Sequence, residues 1–304
     1  SPIFMKKLFA AISIIIAAIA GLCSCEKDVN FNLPSDITEK VVVDGGIEAG
    51  QPPLVLLTKS LGFFSKIDLG NLQNSFLHNA VVKVNDGIRT IQLREYTIDT
   101  LNNRYSFYSV DTANPADLTF LGTEGRFYRL TIDYEGKTYE ASTKIPHVKA
   151  LDSLWAEELP EVVDNEPDYR QLMARYSDPD TPGNSVRIYT RRNNEAYLTD
   201  RFSTYNDDII NGTTVELDIS NGIQPMDTFN FATYRYFKRG DTVTVKWSAI
   251  DKATYTFWQT LEFSLGTTGN PFSTPIKVGS NVSNGALGVW AGYSSAYKTL
   301  IITQ

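Results

Sequence analysis

The chain contains few cysteines and histidines, two of the residue types that commonly carry catalysis or bind metals. The two cysteines, Cys23 and Cys25, lie near the N-terminus, and the two histidines are His78 and His147. A disulfide or a cysteine nucleophile is therefore excluded after residue 25, and a Ser-His-Asp triad or a multi-histidine zinc site is disfavoured. The sequence also lacks a Walker motif, a nucleophile elbow and a zincin motif. We therefore expect no catalytic site, metal or cofactor.

Two short acidic segments are candidates for ligand or metal loops. Asp178 and Asp180 lie in a turn rich in Pro and Gly, and Asp207-Asp208 precede an Asn-Gly pair. Such carboxylates could supply oxygen ligands to Ca²⁺ or polar contacts to a small molecule. The same residue types are also ordinary turn formers, and the spacing of an EF-hand is absent. The turn interpretation is favoured for both segments.

A third candidate lies near the C-terminus, where residues 270–292 are rich in Gly, Asn and Ser and include Trp290. This composition predicts a loop, followed by a last strand at residues 298–303. The Trp290 ring could stack on a ligand in a pocket that the loop lines. Packing of the ring in the core is the alternative that we favour.

The N-terminus has the pattern of a secretory signal. Lys6-Lys7 precede residues 8–22, which are apolar except for Ser13 and are too short for a typical membrane-spanning helix. The run ends at Leu22-Cys23-Ser24-Cys25, which resembles the lipobox of bacterial lipoproteins. We predict a signal peptide at residues 1–24, lipidation of Cys25 and a polar tether at residues 25–39. The alternative is a signal anchor that is never cleaved.

Charge and composition narrow the class of protein further. The 304-residue chain has a formal net charge of -7, and loss of residues 1–24 would remove two lysines and no acid, giving -9. An acidic protein without a basic run has no general attraction for nucleic acid. Aromatic residues make up 12% of the chain, and Tyr and Phe favour strands.

Residues 40–148 are predicted to form a β-sandwich of the immunoglobulin-like or transthyretin-like kind. Short alternating runs are separated by turn signals, including Asp86-Gly87, which favours a type I′ hairpin, and Glu135-Gly136. Residues 41–43 predict a strand that ends in a turn at residues 44–46. The acidic, Pro-rich residues 146–168 predict a connector without regular structure.

Residues 149–304 are predicted to form a second β-rich domain with one amphipathic helix. Apolar residues from Ile250 to Leu265 recur at helical spacing, and Ser248 and Asp251 have the spacing of a capping box. This pattern predicts a helix over residues 249–264. Its apolar face, which includes Phe257, is expected to pack on the preceding strand at residues 243–247.

The order of motifs in the chain resembles the DUF4249 family of Bacteroidota lipoproteins. The motifs follow Cys25 and are residues 40–45, residues 80–87, residues 136–139, Ile145-Pro146, residues 202–212, Phe257-Trp258, Asn270-Pro271-Phe272 and residues 281–288. The resemblance covers nearly the whole chain after the signal. It implies an outer-membrane lipoprotein found alongside TonB-dependent receptors, and it transfers no catalytic residues.

These observations favour a non-catalytic binding or accessory lipoprotein, attached to the outer membrane by its lipid and associated with a TonB-dependent uptake system. A structural or adhesive surface protein is the alternative, because β-sandwiches also serve as spacers. A hydrolase that uses carboxylates such as Asp207 and Asp208 is a third possibility, since paired carboxylates can perform acid–base catalysis.

Overall fold

Strands dominate the structure, a computed structural model that describes residues 39–60, 73–100, 104–223, 230–268, 274 and 276–303. The predicted signal peptide, Cys25 and the tether up to residue 38 lie outside the described residues. In the described part of the chain, no helix is both long enough and apolar enough to cross a membrane.

The predicted fold class, mainly β with one amphipathic helix, is confirmed. The described residues contain a single long helix, α1 (Lys252–Thr267), and a 3₁₀ turn at Asp117–Thr119. The strands are β1 (Val41–Glu48), β2 (Leu54–Lys59), β3 (Val81–Asn85), β4 (Thr90–Gln92), β5 (Arg94–Asp99), β6 (Arg104–Ser109), β7 (Phe127–Tyr134), β8 (Lys137–Lys144), β9 (Ser153–Glu158), β10 (Tyr169–Ser177), β11 (Ser185–Arg192), β12 (Thr204–Asn206), β13 (Thr214–Ile219), β14 (Phe237–Lys238), β15 (Thr242–Ile250) and β16 (Leu287–Ile301).

An eight-stranded sheet forms the centre of the fold, in the order β12-β11-β15-β16-β1-β2-β6-β5. β1 and β16 are parallel neighbours, with Val42 opposite Leu287 and Glu48 opposite Tyr293. β15 is antiparallel to β16 and pairs with it along the whole length of β15. The first and last described strands therefore lie side by side in the middle of this sheet.

Two smaller sheets cover one face of the eight-stranded sheet. The sheet β4-β3-β7-β8 packs over β1 and β2, and their shared core includes Val43, Leu57, Val84 and Leu130. Side chains alternate between the two faces of a strand, so these residues point inward while their neighbours point away. This arrangement has the layering of a sandwich.

The second small sheet contains β13, β10 and β14, with β9 on the other side of β10. It packs over β11 and β15, where Leu172 and Ala174 of β10 share a core with Ile188 and Val245.

Helix α1 lies on the opposite face of the eight-stranded sheet. Phe257 packs in a small core with Val289 and Ala291 of β16. The predicted partner strand is wrong: Val243, Val245 and Trp247 belong to the core shared with β10. Strand alternation turns these three side chains away from the helix.

The start of α1 also differs from the prediction. Asp251 is the N-cap, and its carboxylate accepts a hydrogen bond of 2.8 Å from the backbone N–H of Thr254. Ser248 is part of β15, where its hydroxyl is hydrogen-bonded to that of Ser295. The helix begins at residue 252 because the side-chain acceptor that satisfies its first N–H groups comes from Asp251.

The two predicted hairpin turns have different geometries. Glu135-Gly136 joins β7 to β8, and both residues have the positive φ that a type I′ turn requires. The predicted type I′ turn at Asp86-Gly87 is wrong, because Asp86 does not have a positive φ. β3 and β4 are instead joined by four residues between Asn85 and Thr90, and the Asp86 carboxylate accepts two backbone N–H groups of that loop.

The predicted turn at residues 44–46 is also wrong, since β1 runs through it. A Cβ atom on Gly45 would lie 3.0 Å from the Trp290 ring, and one on Gly46 would lie 3.3 Å from the Tyr293 ring. These two glycines therefore leave room for rings on β16, the neighbouring strand.

Regular structure also extends further than predicted in two other segments. β9 occupies part of the predicted connector, and β16 begins at Leu287, within the predicted C-terminal loop. The predicted domain boundary between residues 148 and 149 falls between two of the sheets. The eight-stranded sheet takes strands from both sides of that boundary, through the pairing of β1 with β16.

Candidate functional site

The two acidic segments predicted from the sequence meet at one end of the second small sheet. Residues 178–184 connect β10 to β11, and residues 207–213 connect β12 to β13. Ser177 pairs with Thr214, and Ser185 pairs with Asn206. Both loops therefore start and end at paired residues, and this places them against each other.

Asp207 holds the two loops together. Its side chain is buried and accepts hydrogen bonds from the backbone N–H groups of Gly183, at 3.1 Å, and Asn184, at 2.9 Å. A buried carboxylate that accepts two backbone N–H groups is well satisfied. Asp207 is thus a fixed part of the loop structure.

Asp178 is also buried, and it lies on the same side of the loops. It accepts the backbone N–H of Gly212 at 3.3 Å and is hydrogen-bonded to the Tyr176 hydroxyl. Burial raises the pKa of the Asp178 carboxyl, and the nearby charge of Asp207 adds to this effect. The carboxylate form of Asp178 is therefore less stable here than in water.

Asp180 and Asp208 are exposed. Asp180 accepts a long hydrogen bond, 3.4 Å, from the side-chain amide of Asn211, and Asp208 accepts one from Asn206. Among the described residues, no group of three or more His, Cys, Asp or Glu side chains is placed to hold a metal ion. The four aspartates share one region, but each is engaged by neighbouring amide or hydroxyl groups.

A cleft of about 440 Å³ opens beside these loops, between the second small sheet and the eight-stranded sheet. Small-molecule sites typically have volumes of about 300–1,000 Å³ and mainly apolar walls. The cleft is lined mostly by aromatic and aliphatic side chains: Tyr176, Val186, Tyr205, Ile209, Ile210, Val215, Leu217, Trp247 and Tyr255.

Two aromatic rings form the inner wall of the cleft. The ring centroids of Tyr176 and Trp247 are 4.9 Å apart with an angle of 44° between the ring planes. Trp247 is buried, and its indole N–H has no hydrogen-bond partner in the part of the chain that the structure describes. The pair gives the cleft a rigid aromatic surface on which an apolar group could pack.

Four carboxylates line the cleft, and no basic side chain does so among the described residues. Glu216 forms an ion pair with Arg175 at 2.6 Å, and Asp218 forms one with Arg235. The remaining two are Asp178 and Asp207. The lining is therefore apolar with a negative end.

A family model described as "Domain of unknown function (DUF4249)" matches residues 26–299. The chain belongs to the DUF4249 family. No curated protein and no solved structure matches this DUF4249 chain significantly.

Trp290, the third candidate of the sequence analysis, lies in the core of the DUF4249 protein. Its side chain is fully buried beside Gly45, and its indole N–H donates a hydrogen bond of 3.1 Å to the carbonyl of Tyr128. Trp290 thus joins the eight-stranded sheet to β7, and its ring is not available to a ligand at the surface.

Sequence reasoning placed the two acidic loops but missed the aromatic and aliphatic walls of the cleft. Tyr176 and Trp247 come from different strands, and nothing in a single sequence shows that their rings meet. One signal was present: Ile209-Ile210 directly follow Asp207-Asp208, and Ile209 is 95% exposed. Adjacent apolar residues in a polar loop can belong to an exposed apolar patch, and such patches can mark a ligand-binding site.

Proposed function

We propose that this DUF4249 protein is a non-catalytic lipoprotein of the bacterial outer membrane that binds a small, largely apolar molecule for a TonB-dependent uptake system. The cleft is the observation that carries the proposal. Its volume and apolar walls suit a small ligand, and it lies between two sheets that hold its shape.

The surroundings of the aspartates favour binding over hydrolysis. A general acid or base must reach the substrate with a carboxyl group that is free to exchange a proton. Asp207 is enclosed by two backbone N–H groups, and Asp208 points to Asn206 in an exposed position. These contacts suit loop positioning better than acid–base catalysis.

Titration with a neutral apolar dye tests ligand binding directly. We expect N-phenyl-1-naphthylamine to bind the purified protein saturably, with a rise in its fluorescence. Ile209→Asp places a charge at the entrance of the cleft and should weaken binding about fivefold, equivalent to about 1 kcal/mol of lost apolar contact. Since Ile209 is exposed, this substitution should leave the fold intact.

Ile88→Asp is the matched control, because Ile88 is also an exposed isoleucine in a loop but lies outside the cleft lining. It should leave dye binding unchanged. A wild-type protein that shows no saturable binding would contradict the proposal and favour the structural or adhesive alternative.

The lipid anchor is tested separately. Metabolic labelling with a palmitate analogue should mark the wild-type protein and Cys23→Ala, while Cys25→Ala should carry no label. Label retained on Cys25→Ala would show that the anchor assignment is wrong.

The association with an uptake system is tested by affinity purification from solubilised outer membranes. We expect a TonB-dependent receptor to be recovered with the wild-type protein and to be lost with Cys25→Ala, which cannot reach the same membrane. Repeated recovery of the lipoprotein without any such receptor would count against this part of the proposal.

A further inference from the structure

The carboxylates of the cleft are not equally balanced by basic groups. The charges of Glu216 and Asp218 are offset by Arg175 and Arg235. Among the described residues, the hydrogen-bond partners of Asp178 and Asp207 are backbone N–H groups and, for Asp178, the Tyr176 hydroxyl. Two negative charges thus adjoin the apolar space, and no basic side chain in the described part of the chain forms an ion pair with either of them.

A neighbouring lysine reduces this imbalance but does not remove it. Lys149 lies with its ammonium 5.2 Å from the centroid of the Tyr176 ring, but it is paired with Asp152 at 2.7 Å. Its charge lowers the pKa of the Asp178 carboxyl, but burial outweighs this effect and the pKa stays raised. Its position does show that the Tyr176 ring accepts a cation on its surface.

Aromatic rings and a partly desolvated carboxylate together form a site for an organic cation. Tyr205 and Tyr255 add two more rings to the Tyr176–Trp247 wall. Rings attract an ammonium group through their negative faces, and a carboxylate in an apolar setting attracts it more strongly than one in water. An anionic ligand would meet only like charge.

We infer that the ligand of this cleft is an organic cation, an apolar body with an ammonium group directed to Asp178. This inference rests on the proposed binding function and narrows it to a chemical class. The apolar body would fill the space among the rings and aliphatic side chains, while the ammonium group would balance Asp178 and Asp207.

Three probes with the same naphthyl body and different charge test the inference: 2-naphthylmethylammonium, 2-naphthylmethanol and 2-naphthoate. Each is used to displace N-phenyl-1-naphthylamine from the purified protein. The ammonium probe should bind about tenfold more tightly than the alcohol, and the carboxylate probe most weakly. Raising the salt concentration should weaken the ammonium probe and leave the alcohol unchanged.

Asp178→Asn removes the charge but keeps a side-chain oxygen to accept the Gly212 N–H. It should reduce the preference for ammonium over alcohol to about twofold or less, without weakening the alcohol. Asp208→Asn is the matched control, because Asp208 is an exposed aspartate of the same region that does not line the cleft. That variant should keep the wild-type preference.

The outcomes separate the two proposals. Equal binding of ammonium and alcohol by a wild-type protein that binds the dye would overturn the cation inference and leave the binding function standing. Failure to bind dye and all three probes would overturn the binding function. If Asp178→Asn does not fold, the salt dependence of the wild-type protein still decides the charge preference.

Discussion

Replacement of Glu262 by Ala should strongly destabilise the protein, because a buried polar network depends on this side chain. Glu262 lies on the inner face of α1 and is 8% exposed. Its carboxylate accepts hydrogen bonds from the N–H of Ser203 at 3.0 Å, from the Ser203 hydroxyl and from the Thr204 hydroxyl at 3.1 Å. Glu262 therefore connects the helix by hydrogen bonds to Ser203 and Thr204, at the start of β12.

The network also includes a buried cation. The guanidinium of Arg187 is 3.9 Å from the Glu262 carboxylate, donates to the Ser203 hydroxyl at 3.1 Å and lies 3.4 Å from the centroid of the Trp258 ring. Arg187 is 7% exposed, so it cannot turn to water if Glu262 is removed. Loss of the acid would leave a buried positive charge and unpaired donors.

The size of the effect follows from these contacts. A hydrogen bond to a charged group contributes about 1.5–3 kcal/mol, and removal of one partner from a buried ion pair costs about 3–5 kcal/mol. The contributions overlap because they share one carboxylate. We expect Glu262→Ala to lower the free energy of unfolding by about 3–5 kcal/mol.

Equilibrium urea unfolding followed by tryptophan fluorescence measures this change. Glu262→Gln keeps the size and one acceptor, so its cost should be smaller. Gln259→Ala, at an exposed position of the same helix, should change the free energy by no more than about 0.5 kcal/mol. A cost below 1 kcal/mol for Glu262→Ala would refute the argument, as it would mean that the network contributes little net stability.

Three further predictions concern the core, the central sheet and acid stability. Phe257→Ala should lower the free energy of unfolding by about 3–5 kcal/mol in the same urea assay, since the ring is buried against β16; a cost near zero would show that the helix is not packed in this way. Gly288→Ala should prevent correct pairing of β1 with β16, because φ is +95° and a Cβ atom would lie 1.9 Å from the Val43 carbonyl oxygen; an unchanged melting temperature would contradict this. Burial of Glu95 raises the pKa of its carboxyl. Hydrogen bonds, of which the one with His78 is the strongest, outweigh burial and hold that pKa below its ordinary value. The stability from Glu95 is therefore complete above that ordinary value and is lost as the pH falls through the lowered one. Glu95→Gln should make the acid unfolding curve less steep, and an unaltered curve would exclude this contribution.

Local features of the fold could be read from the sequence, because the information for them is local. Glu135-Gly136 supplies the backbone conformation that its turn needs, and the alternation on either side of it sets the faces of β7 and β8. The helix was found from its spacing, but its buried face contains Glu262 as well as Phe257. Helical periodicity does not predict that Glu262 is buried, because its partners Ser203 and Arg187 are distant from it in the sequence.

Features that depend on residues distant in the sequence could not be predicted, because the information for them is not local. Gly45 in isolation indicates a turn, and only the Trp290 ring on β16 explains why it lies within a strand. In the candidate site, Asp178 and Asp207 could be selected by residue type. The cleft itself required Tyr176 and Trp247 to be brought together by three strands, β10, β11 and β15, that pair in two different sheets.

The parallel pairing of β1 with β16 has a consequence for how the chain acquires its structure. β1 is synthesised well before β16, and one of its edges stays open until residues 287–301 are present. Closing so long a loop costs chain entropy before any contact across it can form, which slows folding. The central sheet should therefore form late, once residues 287–301 are present. A chain that folds slowly remains unfolded for longer. A chain interrupted before residue 287 would expose the unpaired edge of β1, which could then aggregate.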